Sequence, residues 1–220
     1  MNSMWLKNNW VYGVLLVSVI SAICALITSN FIFKSGSAGI GILIVLILNF
    51  KKEKPSKDTW LIIGAFLFSI AGDYFMSNMN GDYTMFTKGI ALFFLAHLGY
   101  LFFAKFNGQI KWRFTSILLA LFLLFYFLVL FPSINDTILM LAALLYLFIS
   151  CFSLGASVGM KEGDSIVKWT YVFGIFLILF SDTIISLTEF LGYNKLDFLI
   201  LPTYYLAHIS ITFSLIKRQD

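Results

Sequence analysis

The sequence predicts an all-α protein, a polytopic transmembrane helical bundle of eight spans with both termini cytoplasmic. Three observations predict it. Hydrophobic residues make up 60% of the 220 residues and charged residues only 12%, against roughly 45–50% and 25% in soluble domains. Too few polar side chains remain to cover a soluble surface. The apolar residues fall in runs of about 20, the length that a helix needs to cross the hydrocarbon core. The basic residues gather at alternate ends of those runs. The same figures exclude a disordered chain, a coiled coil and a disulfide scaffold.

The spans fall at about 10–29, 35–50, 59–78, 86–106, 112–131, 133–158, 167–190 and 196–216. The first is read as a helix and not a signal peptide: Lys7 alone flanks it, and no small-residue cleavage site follows. The second is short and rich in glycine. The connections are too short for a soluble domain, so residues 1–220 read as one integral membrane domain. Cys24 and Cys151 sit in apolar runs and read as small buried hydrophobes. The three prolines, Pro55, Pro132 and Pro202, are placed in loops or near helix ends.

Eight crossings put Lys7, Lys51, Lys52, Lys54, Lys57, Lys105, Lys111, Arg113, Lys161, Lys168, Lys217 and Arg218 on one side, 12 of the 15 basic residues. Lys34, Lys88 and Lys195 fall on the other. The positive-inside rule then makes both termini cytoplasmic. The net charge of +4 is accounted for by a basic rim facing anionic lipid, and no nucleic acid is implied.

With the basic residues at helix ends, four ionisable groups are left at depth: Asp73, His97, Asp182 and His208. A carboxylate at mid-membrane costs about 2.5–3.5 kcal/mol on insertion scales, and such residues usually face a cavity or each other. The bland alternative is a protonated Asp bonding between helices. Asp73 and Asp182 each lie 14 residues past the start of an outward-running span, roughly 21 Å up from the cytoplasmic end. His97 and His208 lie roughly 17 Å down from the outer face. Ser69, Gly72, Asp73 and Met76 share one helix face, as do Ile178, Ser181, Asp182 and Ile185, and Gly89, Phe93, His97, Tyr100 and Ala104. The stripe Tyr146, Ser150, Ser153 and Ser157 on the sixth span reads as small-residue packing rather than chemistry.

Leu-Ala-His occurs at 95–97 and again at 206–208, each time after a buried Asp. The pattern fits a four-plus-four duplication with halves at about 1–108 and 109–220. Two halves in the same orientation would be related by an axis along the membrane normal.

These same segments resemble the YhhN family of membrane proteins, which includes the animal lysoplasmalogenases. The likeness is carried by Phe66-Leu67-Phe68-Ser69-Ile70-Ala71-Gly72-Asp73, by the run from Gly89 to Tyr100 with Leu95-Ala96-His97-Leu98-Gly99-Tyr100, by Phe180-Ser181-Asp182 and by Tyr204-Tyr205-Leu206-Ala207-His208. Where the family has Lys-Pro at the start of the second span, this chain has Lys34-Ser35. The resemblance implies hydrolysis of the vinyl ether bond of lysoplasmalogens to a fatty aldehyde and a glycerophospho-base. That chemistry needs an acid to protonate the alkene, a negative charge near the oxocarbenium ion and a base for water, a demand that paired carboxylates meet. Asp73 and Asp182 are the candidate pair. Ser69, His97, Tyr100, Ser181, Tyr205 and His208 are the candidates to orient water or the acid, and Lys34 a headgroup contact. The alkenyl chain would lie among the 25 phenylalanines.

No cofactor or metal is expected, because neither His-x-x-x-His nor Glu-x-x-His occurs. The expected partners are a lysophospholipid and the bilayer, with no protein partner implied. A composition leaning toward Ile, Phe, Lys and Asn fits an AT-rich bacterial genome, and so a bacterial inner membrane. The rival reading is a proton-coupled transporter of a small molecule or lipid that uses the same Asp and His residues as a relay.

Overall fold

The computed structural model describes residues 9–28, 30–50 and 56–219. Lys7, Lys51, Lys52, Lys54 and Pro55 lie outside the described residues. The chain is helical in the order α1 (Asn9–Thr28), α2 (Phe31–Lys34), α3 (Gly36–Phe50), α4 (Thr59–Ser77), α5 (Tyr83–Phe106), α6 (Trp112–Phe125), α7 (Thr137–Val158), α8 (Ser165–Leu191) and α9 (Asp197–Lys217). No strand occurs among the described residues. Seven helical stretches, α6 counted with the turns that continue it to Ser133, are long and apolar enough to cross a membrane, and α3 is a shorter apolar helix. The protein is an integral membrane protein.

Aspartates start three of these helices. Asp82, Asp136 and Asp164 each take extended backbone and accept from an early helical N–H at 2.7 Å, which satisfies donors that a helix start leaves orphaned. Gly192 closes α8 in the left-handed region at φ 67°, the conformation that favours glycine. Between α2 and α3 the ladder barely breaks. Ser35 donates to Phe31 at 2.9 Å and accepts from Gly39 at 2.8 Å, so residues 31–50 form a nearly continuous rod about 30 Å long.

Neighbouring helices run antiparallel. Ser18 reaches Ser37, and Ser21 reaches Phe33, so α1 opposes α3. A Cβ on Gly39 would meet Ile70, and one on Gly41 would meet Phe66, so α3 opposes α4. One tight seam is α4 on α5: a Cβ on Gly99 would stand 2.7 Å from the Leu61 carbonyl oxygen. The main apolar cluster runs through α3, α4, α5, α7, α8 and α9. The helix α1 adds a flank against α3 and α9. Cys151 is buried, as the sequence predicts, while Cys24 is only partly buried; both are free.

One end of the bundle is tied by a polar network. Asp58 accepts from Asn107 at 2.9 Å, from Arg218 at 2.7 Å and from Ser56. Arg218 also reaches Asn107 at 2.5 Å and Glu162 at 3.2 Å, and lies over the Phe103 ring. Burial pushes the Asp58 carboxyl up, but the bonds from Ser56, Arg218 and Asn107 outweigh it and hold it below its ordinary value. Gly108 and Met160 pair beside this cluster.

Pro202 lies in the second turn of α9, near its start, as the sequence predicts. It removes one backbone donor, and the Ser181 hydroxyl bonds the neighbouring Ile200 carbonyl at 3.0 Å. The fifth span does not pass into the sixth at residues 131–133. α6 loosens into a π turn, Tyr126–Leu130, then a 3₁₀ turn, Phe131–Ser133, and α7 starts only at Thr137. Pro132, sitting in that 3₁₀ turn, is what an α-helix tolerates least.

Candidate active site

At the end opposite the Asp58 network, α4, α8 and α9 part around a chamber of about 320 Å³. Asp73 and Asp182 both line it, with Ser181, Tyr204, Tyr205 and Lys34. The two acids that the sequence singles out thus meet in one space. Lys34 stands at the start of the 31–50 rod, and its Nζ bonds the Ser77 hydroxyl at 3.4 Å. Glu189 and Asp197, near the ends of α8 and α9, also line the chamber. Thr188 bonds Asp197 at 2.5 Å.

The other predicted residues take different places. His97 is buried on α5, and its Nε2 lies 3.7 Å from Asp182 Oδ2. Tyr100, one turn further, meets Ser69 at 3.4 Å between hydroxyls and packs edge-on against His97 with ring centroids 5.9 Å apart. Ser69 and Tyr100 form a layer beneath the chamber and do not line it. His208 packs edge-on against Phe66 and Tyr204, with centroids 5.1 and 4.5 Å away. It too lies behind the chamber wall. Neither ring nitrogen of His97 or His208 makes a hydrogen bond.

The residue that sequence reasoning misplaced is Tyr146. Its hydroxyl donates to Asp182 Oδ2, and its ring meets His97 at 5.2 Å between centroids. The rest of that stripe behaves as packing: Ser150 and Ser157 bond carbonyls of their own helix, and Ser150, Ser153 and Ser157 are fully buried. The signal was a tyrosine in register with that polar stripe, one turn from Ser150.

The arrangement leaves buried polar atoms without well-formed hydrogen bonds at the chamber: Asp73 Oδ2 and the hydroxyls of Tyr204 and Tyr205. Tyr204 lies close enough to Asp73 to interact with it. Buried polar atoms of this kind are rare in folded proteins and call for an explanation. Here they surround a space large enough for a polar ligand. Chemically, the site offers four carboxyl groups beside a single lysine; Asp182 accepts from Tyr146 with His97 nearby, Asp197 is bonded by Thr188, and Asp73 keeps one oxygen without a hydrogen bond. Among the described residues, no group of three or more His, Cys, Asp or Glu side chains is arranged to hold a metal ion.

No curated protein and no solved structure matches the chain. The model of the YhhN family matches residues 29–215, a stretch that runs from the rod carrying Lys34 to the last turns of α9 and includes every residue of the chamber. The chain belongs to the YhhN family.

Proposed function

We propose that this protein is a membrane-embedded hydrolase that cleaves the vinyl ether bond of lysoplasmalogen-type lysophospholipids. The observation that carries this reading is that Asp73 and Asp182 line one chamber. Their hydrogen bonding divides the work. Asp182 accepts from Tyr146 and has His97 beside it, which suits a carboxylate facing positive charge. Asp73 keeps an oxygen without a well-formed bond and can present a proton to the alkene.

The reaction follows from those roles. Asp73 protonates the alkene carbon remote from the ether oxygen, leaving an oxocarbenium ion that Asp182 stabilises. Water adds to the cation and loses its proton to a carboxylate. The hemiacetal then collapses to a fatty aldehyde and the glycerophospho-base. Membership of the YhhN family is consistent with an enzyme of this kind.

The membrane arrangement we propose has eight crossings, with both termini cytoplasmic. Supporting it, α1 and α4 each oppose α3, so the chain must return across the membrane between them. The rod of residues 31–50 has the length to do so. Lys57, Lys105, Lys111, Arg113, Lys161 and Lys217 then flank the end tied by Asp58 and Arg218. The helix pairing also supports a four-plus-four repeat, because α3 packs on α9 of the other half as α7 packs on α5. A bacterial inner membrane suits the basic rim.

The test is purified protein in detergent given a lysoplasmalogen. Fatty aldehyde should appear, and Asp73→Asn and Asp182→Asn should each stop it. Aldehyde at the wild-type rate from both variants would defeat the two-carboxylate mechanism. Substrate-dependent proton flux in liposomes with no product would instead establish the carrier.

A further inference from the structure

A second space meets the chamber at Asp182. It lies between α5, α6, α7 and α8, has a volume of about 80 Å³, and is walled by Phe86, Phe122, Phe125, Leu130, Ala143 and Leu147. Met76, Phe93, Asp182 and Ile185 line both spaces. Asp182 therefore stands where the wall changes character, with acids and Lys34 on one side and aromatic and aliphatic side chains on the other.

We infer that this narrow space is the binding site for a single unbranched hydrocarbon chain whose polar end lies at Asp182. The inference takes its ligand class from the hydrolase reading above. A purely apolar ligand gains little by entering, because lipid tails are as apolar as the pocket wall. What holds a chain here is its covalent link to a polar end that the neighbouring chamber can engage. The occupant is thus an amphiphile lying across both spaces, its junction at the carboxyl group. That one chain enters, and not two, follows from the single-chain lysophospholipid class of the hydrolase reading, and the wall it would meet is almost entirely aromatic and aliphatic. Part of its wall is the π turn, which brings in Leu130 and is pinned by the Tyr126 hydroxyl on the Met140 carbonyl at 2.8 Å. Single π turns in α-helices often sit at functional sites.

The probe is a single-chain lysophosphatidylcholine with a diazirine on its acyl chain, photolysed with the full-length protein in detergent. Its ester link contains no vinyl ether, so labelling is read independently of aldehyde release. Label should map to α6, α7 and α8 around Phe122, Ala143 and Leu147, and excess unlabelled lysophosphatidylcholine should suppress it. Ala143→Phe, which fills the space, should cut the labelling about tenfold, and Ala143→Ser should leave it unchanged. Should Ala143→Phe fail to fold, Ala143→Leu is the smaller plug and is read the same way. Label confined to lipid-facing residues such as Leu121 and Leu128, or equal suppression by a two-chain lipid or a sterol, would overturn the inference. Mapped, competed labelling without any aldehyde release would keep the chain site and remove the hydrolase reading. Aldehyde release with uncompeted labelling would do the reverse.

Discussion

The Asp182 Oδ2 that accepts the Tyr146 hydroxyl also lies 3.7 Å from His97 Nε2. Three helices, α5, α7 and α8, thereby converge on one carboxylate oxygen. Tyr146→Phe keeps the ring contact with His97 and deletes only the donor. A single hydrogen bond to a charged group is worth about 1.5–3 kcal/mol, so aldehyde release should fall roughly ten- to a hundredfold. Thermal unfolding in the same detergent should move little by comparison. A variant with lowered unfolding temperature and unchanged rate would make Tyr146 a packing residue.

The α4–α5 seam sets the distance between Asp73 and the His97 side of the site. A Cβ on Gly99 would stand 2.7 Å from the Leu61 carbonyl oxygen and 2.9 Å from Ala65 Cβ. Neither neighbour is the end of a flexible side chain, so the helices must part. Gly99→Ala should cost about 1–3 kcal/mol, the usual cost of overpacking, and should lower activity with it. Gly64, on the same helix as Leu61, would meet nothing within 4 Å. Gly64→Ala should be neutral or stabilising by up to about 1 kcal/mol. Paired unfolding curves decide it: equal effects at the two glycines would mean that the seam is not tight.

Much of the site was legible because a charge in an apolar run has little else to explain it. Asp73 and Asp182 stood out for that reason, and their spacing from the span starts gave their common depth. Tyr146 did not stand out, being one of ten tyrosines whose partner sits on another helix 36 positions on. Asp58 and Arg218 are 160 positions apart and read singly as ordinary rim charges. The apolar space beside Asp182 left no trace either, because Phe and Leu look alike in sequence whether they face lipid, core or cavity.

The Asp58–Arg218 pair should be a pH-dependent clamp on stability. The Asp58 carboxyl is held below its ordinary value of 3.8. A depressed folded value contributes stability that is fully present above the unfolded value and is lost as pH falls through the folded one. Arg218→Met removes the bonds to Asp58, Asn107 and Glu162. It should destabilise the protein by about 2–4 kcal/mol at pH 7, near the lower end for a broken buried pair because Arg218 is partly exposed. The gap between wild type and variant should hold from neutral pH down to about pH 4 and narrow below it. Denaturant midpoints measured across that range in one detergent would check this. A gap independent of pH below 4 would remove Asp58 from the account.

Lys34 supplies the only basic side chain among the residues lining the chamber, facing Asp73, Asp182, Glu189 and Asp197. Its Nζ reaches the Ser77 hydroxyl at 3.4 Å, a weak bond that a phosphate oxygen could replace. The phosphodiester of a lysophospholipid is an anion, and among these residues its natural partner is this ammonium group. A contact made equally in the bound ground state and in the transition state changes KM and leaves kcat alone. Lys34→Met should therefore raise KM by about tenfold or somewhat more, the effect of losing one charge-assisted bond. Lys34→Arg should restore most of the loss by keeping the charge. Steady-state kinetics on a lysoplasmalogen, beside an alkenyl glycerol that lacks phosphate, separates the roles. Against the phosphate-free substrate, Lys34→Met should match the wild type. A fall in kcat on both substrates would place Lys34 with the acids and not with the headgroup.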